Sequence, residues 1–109
     1  MMQWDIFLYP FEDAGPHPAV VLSPNERCQN PAILHINALL CTSVKINREP
    51  KPIETVLDEA DGLDWKTAVR CNVIYLLPKA DFLERRGSVN LARRRAIGRK
   101  LIECFRLPF

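Results

Sequence analysis

The sequence predicts a mostly β fold, a small and strongly bent barrel of short strands with one C-terminal helix packed against it. Three observations point there. Short apolar runs recur along the first two thirds of the chain, each cut off by proline, glycine or asparagine. The first run is apolar on both faces apart from Asp5, as in a strand of a small barrel rather than of an open sheet. From Asn90 onward the apolar period changes from two to near four. The 109 residues suffice for one domain with a real core, taken as residues 1–109, and not for two.

In chain order, Trp4 to Tyr9 reads as a strand stopped by Pro10, and Glu12 to Pro16 as a loop of turn formers. Pro18 to Ser23 is a second strand, ended by Pro24, and Asn25 to Pro31 is polar and irregular. Ala32 to Cys41 is the longest apolar run and the expected central strand. Periodicity leaves a helix open there, but the isoleucines and the adjacent Pro31 favour a strand. Lys45 to Pro52 is a loop. Ile53 to Leu57 alternates, a strand with Glu54 on an exposed face. Thr67 to Cys71 is the next strand, and Asn72 bends it into Val73 to Leu77, where Pro78 ends it. Asn90 reads as the N-cap of the final helix. Leu91, Arg94/Arg95, Ile97/Gly98, Leu101/Ile102 and Phe105 trace its stripe, with arginines opposite. Gly98 costs about 1 kcal/mol there relative to alanine, which suggests a close contact at that point.

Composition is that of an ordinary globular chain, 48% hydrophobic and 26% charged. A net charge of +2 makes no case for nucleic acid by itself, yet the charge is polarised. Acidic residues gather from Asp58 to Asp64 and basic ones from Arg85 to Lys100. Cys28, Cys41, Cys71 and Cys104 stand far apart and, with only His17 and His35 to assist, support no metal site and no cofactor. They read as reduced thiols of a cytoplasmic protein. Neither a signal peptide nor a membrane span is expected.

Arg70 carries the chemistry most open to interpretation. Alternation sets Thr67, Val69 and Cys71 on one side of their strand and Ala68 and Arg70 on the other. A guanidinium leaving an apolar strand just before Asn72 suits two-pronged recognition of phosphate or carboxylate. The same residue serves equally as a surface arginine at a strand edge, and the residues alone favour that plainer role.

Several stretches together resemble the PemK/MazF family of type II toxin–antitoxin toxins, small ribonucleases that cleave messenger RNA. Asp5-Ile6 comes first, followed by the stretch from Gly15 to Pro24, close to the family's G-x-R-P-A-V-V-L-S-P. Cys41-Thr42-Ser43 follows the central strand, Val69-Arg70-Cys71-Asn72 resembles V-R-C-D, and Arg85 to Val89 leads into the last helix. The resemblance covers almost the whole chain, in the family's order. It implies an SH3-like (CcdB/MazF-type) barrel, a homodimer, and metal-independent cleavage in which a ribose 2′-hydroxyl attacks the adjacent phosphate and a 5′-hydroxyl leaves. It also implies a cognate antitoxin whose flexible, partly acidic tail covers the RNA groove.

That reaction needs a base, an acid and positive charge on the phosphorane. By the motif match, Arg70 stabilises charge and Thr42 donates its hydroxyl to a phosphate oxygen, with Ser43 assisting. Two positions depart from the family: its arginine before proline is His17 here, and its aspartate after the strand arginine is Asn72. An amide cannot act as a base, whereas a histidine titrates near neutrality. His17 is therefore the candidate for the acid–base role, with Asn72 positioning RNA; a loop histidine without a task is the even alternative. Lys45, Arg48 and Lys51 are placed to guide single-stranded RNA, and most arginines from Arg85 to Arg99 to solvate the helix. His35 reads as a hydrogen-bonded strand residue. Two other functions fit the same fold: a catalytically weak or silent binding protein, and a CcdB-like toxin acting on DNA gyrase through its C-terminal end. The ending Arg106-Leu107-Pro108-Phe109 differs from the Trp-Gly-Ile of the latter and counts against it.

Overall fold

The chain is described here from a computed structural model, which covers residues 1–11, 15–43 and 49–108. Glu12 to Ala14, and the stretch holding Lys45 and Arg48, lie outside the described residues. The strands are β1 (Asp5–Phe11), β2 (Gly15–Val21), β3 (His35–Ser43), β4 (Glu54–Leu57), β5 (Thr67–Arg70), β6 (Tyr75–Pro78) and β7 (Arg85–Ser88). A one-turn helix α1 (Asn25–Gln29) lies between β2 and β3, and the long helix α2 (Leu91–Phe105) ends the chain. The strands form one curled antiparallel sheet in the order β4-β5-β3-β2-β1-β7, with β6 also on β3.

The double apolarity of the sequence is explained by two cores, one on each side of this sheet. On one side Ile6, Val20, Leu39, Cys41, Val69 and Cys71 pack together, covered by Ile97, Leu101 and Cys104 of α2. Residues next to them in sequence point the other way, as strand alternation requires. Tyr9, Ala19 and Ala38 form a cluster with Phe11, Leu77 and Phe82. Val21, Cys28 and Ile36 form a third, with Met1, Phe7 and Phe82.

Several expectations change. Pro10 lies inside its strand rather than ending it, whereas Pro78 is the last residue of its strand, as expected. Leu8 N–H donates to Glu84 on the β7 side, so the ring nitrogen of Pro10 faces past the end of that pairing. Lys79 N–H donates to Leu34, so the nitrogen of Pro78 faces the open edge of β6. Asn25 to Gln29 is helical, not irregular, and its turn carries Cys28 into the cluster with Val21 and Ile36. Glu54 is buried rather than exposed; its Oε1 accepts from Lys51 N at 2.8 Å.

Asn90 does cap α2, its Oδ1 accepting from Arg93 N at 3.0 Å. The covered stripe, however, is Ile97, Leu101 and Cys104, while Leu91 and Phe105 stand exposed. Gly98 permits no close approach, since nothing lies within 4 Å of where a Cβ would stand. The acidic stretch folds into a 3-10 turn (Glu59–Asp61) with a reciprocal cap between Asp58 and Asp61. Asp61 is buried and accepts from Asn90 N (2.9 Å), Asn90 Nδ2 (3.0 Å) and Arg93 (2.5 Å). Arg93 also holds Asp58, at 2.6 Å, so this turn anchors the start of α2. β7 runs beside it so closely that a Cβ on Gly87 would lie 2.3 Å from the Asp61 carbonyl oxygen.

Candidate active site

Register decides which side chains meet. Cys41 pairs with Val69 and Thr42 with Ala68 across β3 and β5, and Glu54 pairs with Arg70 across β4 and β5. With Val69 and Cys71 committed to the α2 side, Ala68 and Arg70 face the other way, as do Leu40 and Thr42 on β3. Thr42 and Arg70 are diagonal neighbours, about 7–8 Å apart at Cα in such a ladder. Ala19 pairs with Leu40, so continuing that register by two residues sets His17 beside Thr42 on the next strand. His17, Thr42 and Arg70 therefore share one face of the sheet.

Arg70 is the last residue of β5 and is exposed, whereas Thr67, Ala68 and Val69 before it are buried. Among the described residues it makes no ion pair. Beyond it the chain leaves β3 and returns as β6, which pairs with His35–Ala38, while β5 pairs with Cys41–Ser43. Leu40 is left between them with no strand neighbour on that edge. The opening is a cavity of about 240 Å³, lined by Leu40, Lys51, Ile53, Arg70, Asn72, Val73 and Tyr75. Cys71 N–H donates to Ile53 at 2.8 Å and fixes the chain where it turns away.

Thr42 Oγ1 and His17 Nδ1 are shielded from solvent and have no hydrogen-bond partner among the described residues. The Thr42 carbonyl does have one, accepting from Thr67 Oγ1 at 2.7 Å. Buried polar atoms are nearly always paired. Of the three such orphans among the described residues, Thr42 Oγ1, His17 Nδ1 and Thr55 Oγ1, the first two share the face of the unpaired Arg70, while Thr55 is set opposite Val69 on the α2 side. The His17 ring packs on Phe11 at 6.3 Å between centroids, and Phe11 packs on Tyr75 at 5.6 Å.

Of the residues singled out in the sequence, Arg70, Asn72 and Lys51 line the cavity, and Thr42 and His17 lie on its face of the sheet without lining it. Ser43 ends β3, its backbone paired with Thr67. Lys45 and Arg48 lie outside the described residues. His35 pairs with Pro78 at the far end of β3. Two residues were missed: Tyr75 in the cavity wall, and Glu54 directly opposite Arg70. Only strand register exposes them. The thiols stay out of this chemistry: burial pushes the Cys71 thiol up to about 11 and raises that of Cys41 further.

Residues 2–105 match the model of a protein family described as PemK-like, MazF-like toxins of type II toxin–antitoxin systems. The chain belongs to this family. No curated protein sequence matches it. Among solved structures, an endoribonuclease in complex with its cognate antitoxin from a mycobacterial species superposes with a TM-score of 0.80 at 21% identity, covering 100% of this chain and 98% of that one. The Mycobacterium tuberculosis toxin MazF-mt6 gives a TM-score of 0.80 at 16% identity, covering 96% and 99%. The MazE–MazF complex of Deinococcus radiodurans gives 0.74 at 20% identity, covering 96% and 94%. At these identities the structures establish the shared fold. Among the described residues no helix is long and apolar enough to cross a membrane.

Proposed function

We propose that this toxin is a single-domain, metal-independent endoribonuclease that cuts single-stranded messenger RNA in the cytoplasm, acts as a homodimer and is restrained by a cognate antitoxin. The observation that carries the reading is the exposed, unpaired Arg70 at the cavity mouth, with the unpartnered Thr42 hydroxyl and His17 nitrogen on the same face. RNA cleavage of this kind needs little else. A base removes the proton of the 2′-hydroxyl, whose oxygen attacks phosphorus; the bond to the 5′-oxygen breaks, and an acid protonates that oxygen. Arg70 stabilises the charge of the phosphorane through its guanidinium. It is too weak an acid to give up its proton easily. Thr42 donates a hydrogen bond to a phosphate oxygen, and His17 supplies proton transfer in place of the family's arginine. Asn72 and Ser43 position the strand, and Lys45, Arg48 and Lys51 guide it.

The deciding experiment is incubation of purified protein with a long single-stranded RNA in excess chelator, beside Arg70→Ala. Cutting that survives the chelator and is lost in Arg70→Ala sustains the reading. The second reading, a toxin-fold protein that binds without turnover, rests on the two departures at His17 and Asn72; RNA that is bound and left intact would favour it. His17→Gln separates the roles further: cleavage should disappear while RNA binding stays near wild type. Cleavage at the wild-type rate in that variant removes His17 from the mechanism.

A further inference from the structure

The Arg70 cavity has one wall that phosphate chemistry does not use. Tyr75 lines it and is half-buried. Its partner across β3 is Ala38, a small residue that leaves the ring room on that face. The ring packs against Phe11, edge-to-face at 5.6 Å and 64°. Phe11 in turn packs on Tyr9 at 4.8 Å, and Tyr9 on Phe82 at 5.1 Å. Edge-to-face packing of this kind fixes a ring's orientation. Tyr75 is thus a braced aromatic surface at the wall of a cavity whose other functional groups are the Arg70 guanidinium, the Lys51 ammonium and the Asn72 amide.

We infer that Tyr75 is the base-stacking platform of the site. The nucleobase adjoining the phosphate held by Arg70 lies against the Tyr75 ring, and Asn72 meets its polar edge with one donor and one acceptor. The inference rests on the proposed action on single-stranded RNA and names what that site grips besides phosphate. Single strands are bound by this combination of a cation tracking the backbone and an aromatic face under the base. An aromatic run from Tyr75 through Phe11 to His17 thus lies along this face of the sheet.

The test uses short single-stranded DNA, which lacks the 2′-hydroxyl and cannot be cut, so it is independent of turnover. Affinity is measured for an intact strand and for the same backbone with abasic sugars, with wild type, Tyr75→Phe and Tyr75→Leu. Wild type and Tyr75→Phe should prefer the intact strand about tenfold to a hundredfold. Tyr75→Leu should lose the preference and keep its affinity for the abasic strand. A preference unchanged in Tyr75→Leu overturns the inference, and so does an equal loss of affinity for both strands, which would mark a purely structural ring. Should Tyr75→Leu fail to fold, Tyr75→Trp decides: a larger ring must raise the preference, and no change overturns the platform. If wild type leaves RNA intact yet shows the base preference, the ribonuclease reading fails while Tyr75 stands.

Discussion

Asp61 and Thr42 are both shielded polar side chains, and the molecule treats them in opposite ways. Every oxygen of Asp61 is engaged, by Asp58 N, Asn90 N, Asn90 Nδ2 and Arg93. The Thr42 hydroxyl has no partner among the described residues, nor does the ring nitrogen of His17. Charge follows the same division: Arg93 is bound by two carboxylates, whereas Arg70 is bound by none that the structure describes. The α2 side of the sheet is therefore the region that holds the fold, though the Thr55 hydroxyl there is also unpartnered among the described residues, and the opposite face sets two such atoms near an exposed arginine. A polar group paid for by burial and left unpaired is where function concentrates.

Removing Arg93 attacks the closed region at its centre. The Asp61 side chain is fully shielded, so Arg93→Ala leaves a buried carboxylate without its counter-ion. The expected loss is about 3–5 kcal/mol, read as a lower urea midpoint. Cleavage by the remaining folded protein should be unchanged. A loss below about 1 kcal/mol would mean that the turn is not the anchor of α2. Gly87→Ala comes next. Its new methyl group would meet the Asp61 carbonyl oxygen, a backbone atom that cannot swing aside, and β7 or the turn must shift. A cost of about 1–3 kcal/mol is expected, again with the site intact.

Acid tests the same region more gently. Hydrogen bonds from Arg93 and from the Ala60 N–H hold the Asp58 carboxyl below its ordinary value. A carboxylate whose folded value is depressed contributes stability above its unfolded value, and loses it as pH falls through the folded one. Unfolding midpoints of wild type should therefore hold steady towards pH about 5 and fall below about 4. The fall should be shallower in Arg93→Ala, where this hydrogen bond is absent. Parallel curves for the two proteins would detach Asp58 from Arg93.

The sequence made the first half of this comparison hard to see and the second half easier. Alternation placed Arg70 outside the core, and the family-like stretches marked Thr42, His17 and Asn72, since strand parity and motifs are local. Asp61 looked like one of several charges in a solvated acidic loop, because nothing local says that Asn90 and Arg93 will close over it. Glu54 was misjudged for the same reason: alternation says which side it takes, not what lies on that side. Tyr75 read as one more strand residue until the pairing of β6 with β3 set it against the opening at Leu40. The missed stop at Pro10 has a topological cause too, since a proline can end a strand or lie where pairing has already stopped.

The smallest expected change in stability comes from the Arg70 face itself. Thr42→Val keeps the shape of the side chain and removes a shielded hydroxyl that has no partner to lose. Deleting such a group is close to neutral or stabilising by up to about 1 kcal/mol, in contrast to the several kcal/mol expected at Arg93. Thermal unfolding of Thr42→Val should accordingly match wild type or lie slightly above it. If the hydroxyl donates to a phosphate oxygen in the transition state, cleavage of single-stranded RNA should nevertheless fall about a hundredfold, chiefly in kcat. Gain in one measurement and loss in the other is the signature of a residue kept for chemistry at some expense to the fold. A variant that loses stability and keeps its activity would place Thr42 with Asp61, among the groups that hold the sheet together, and would leave Arg70 as the centre of a smaller site.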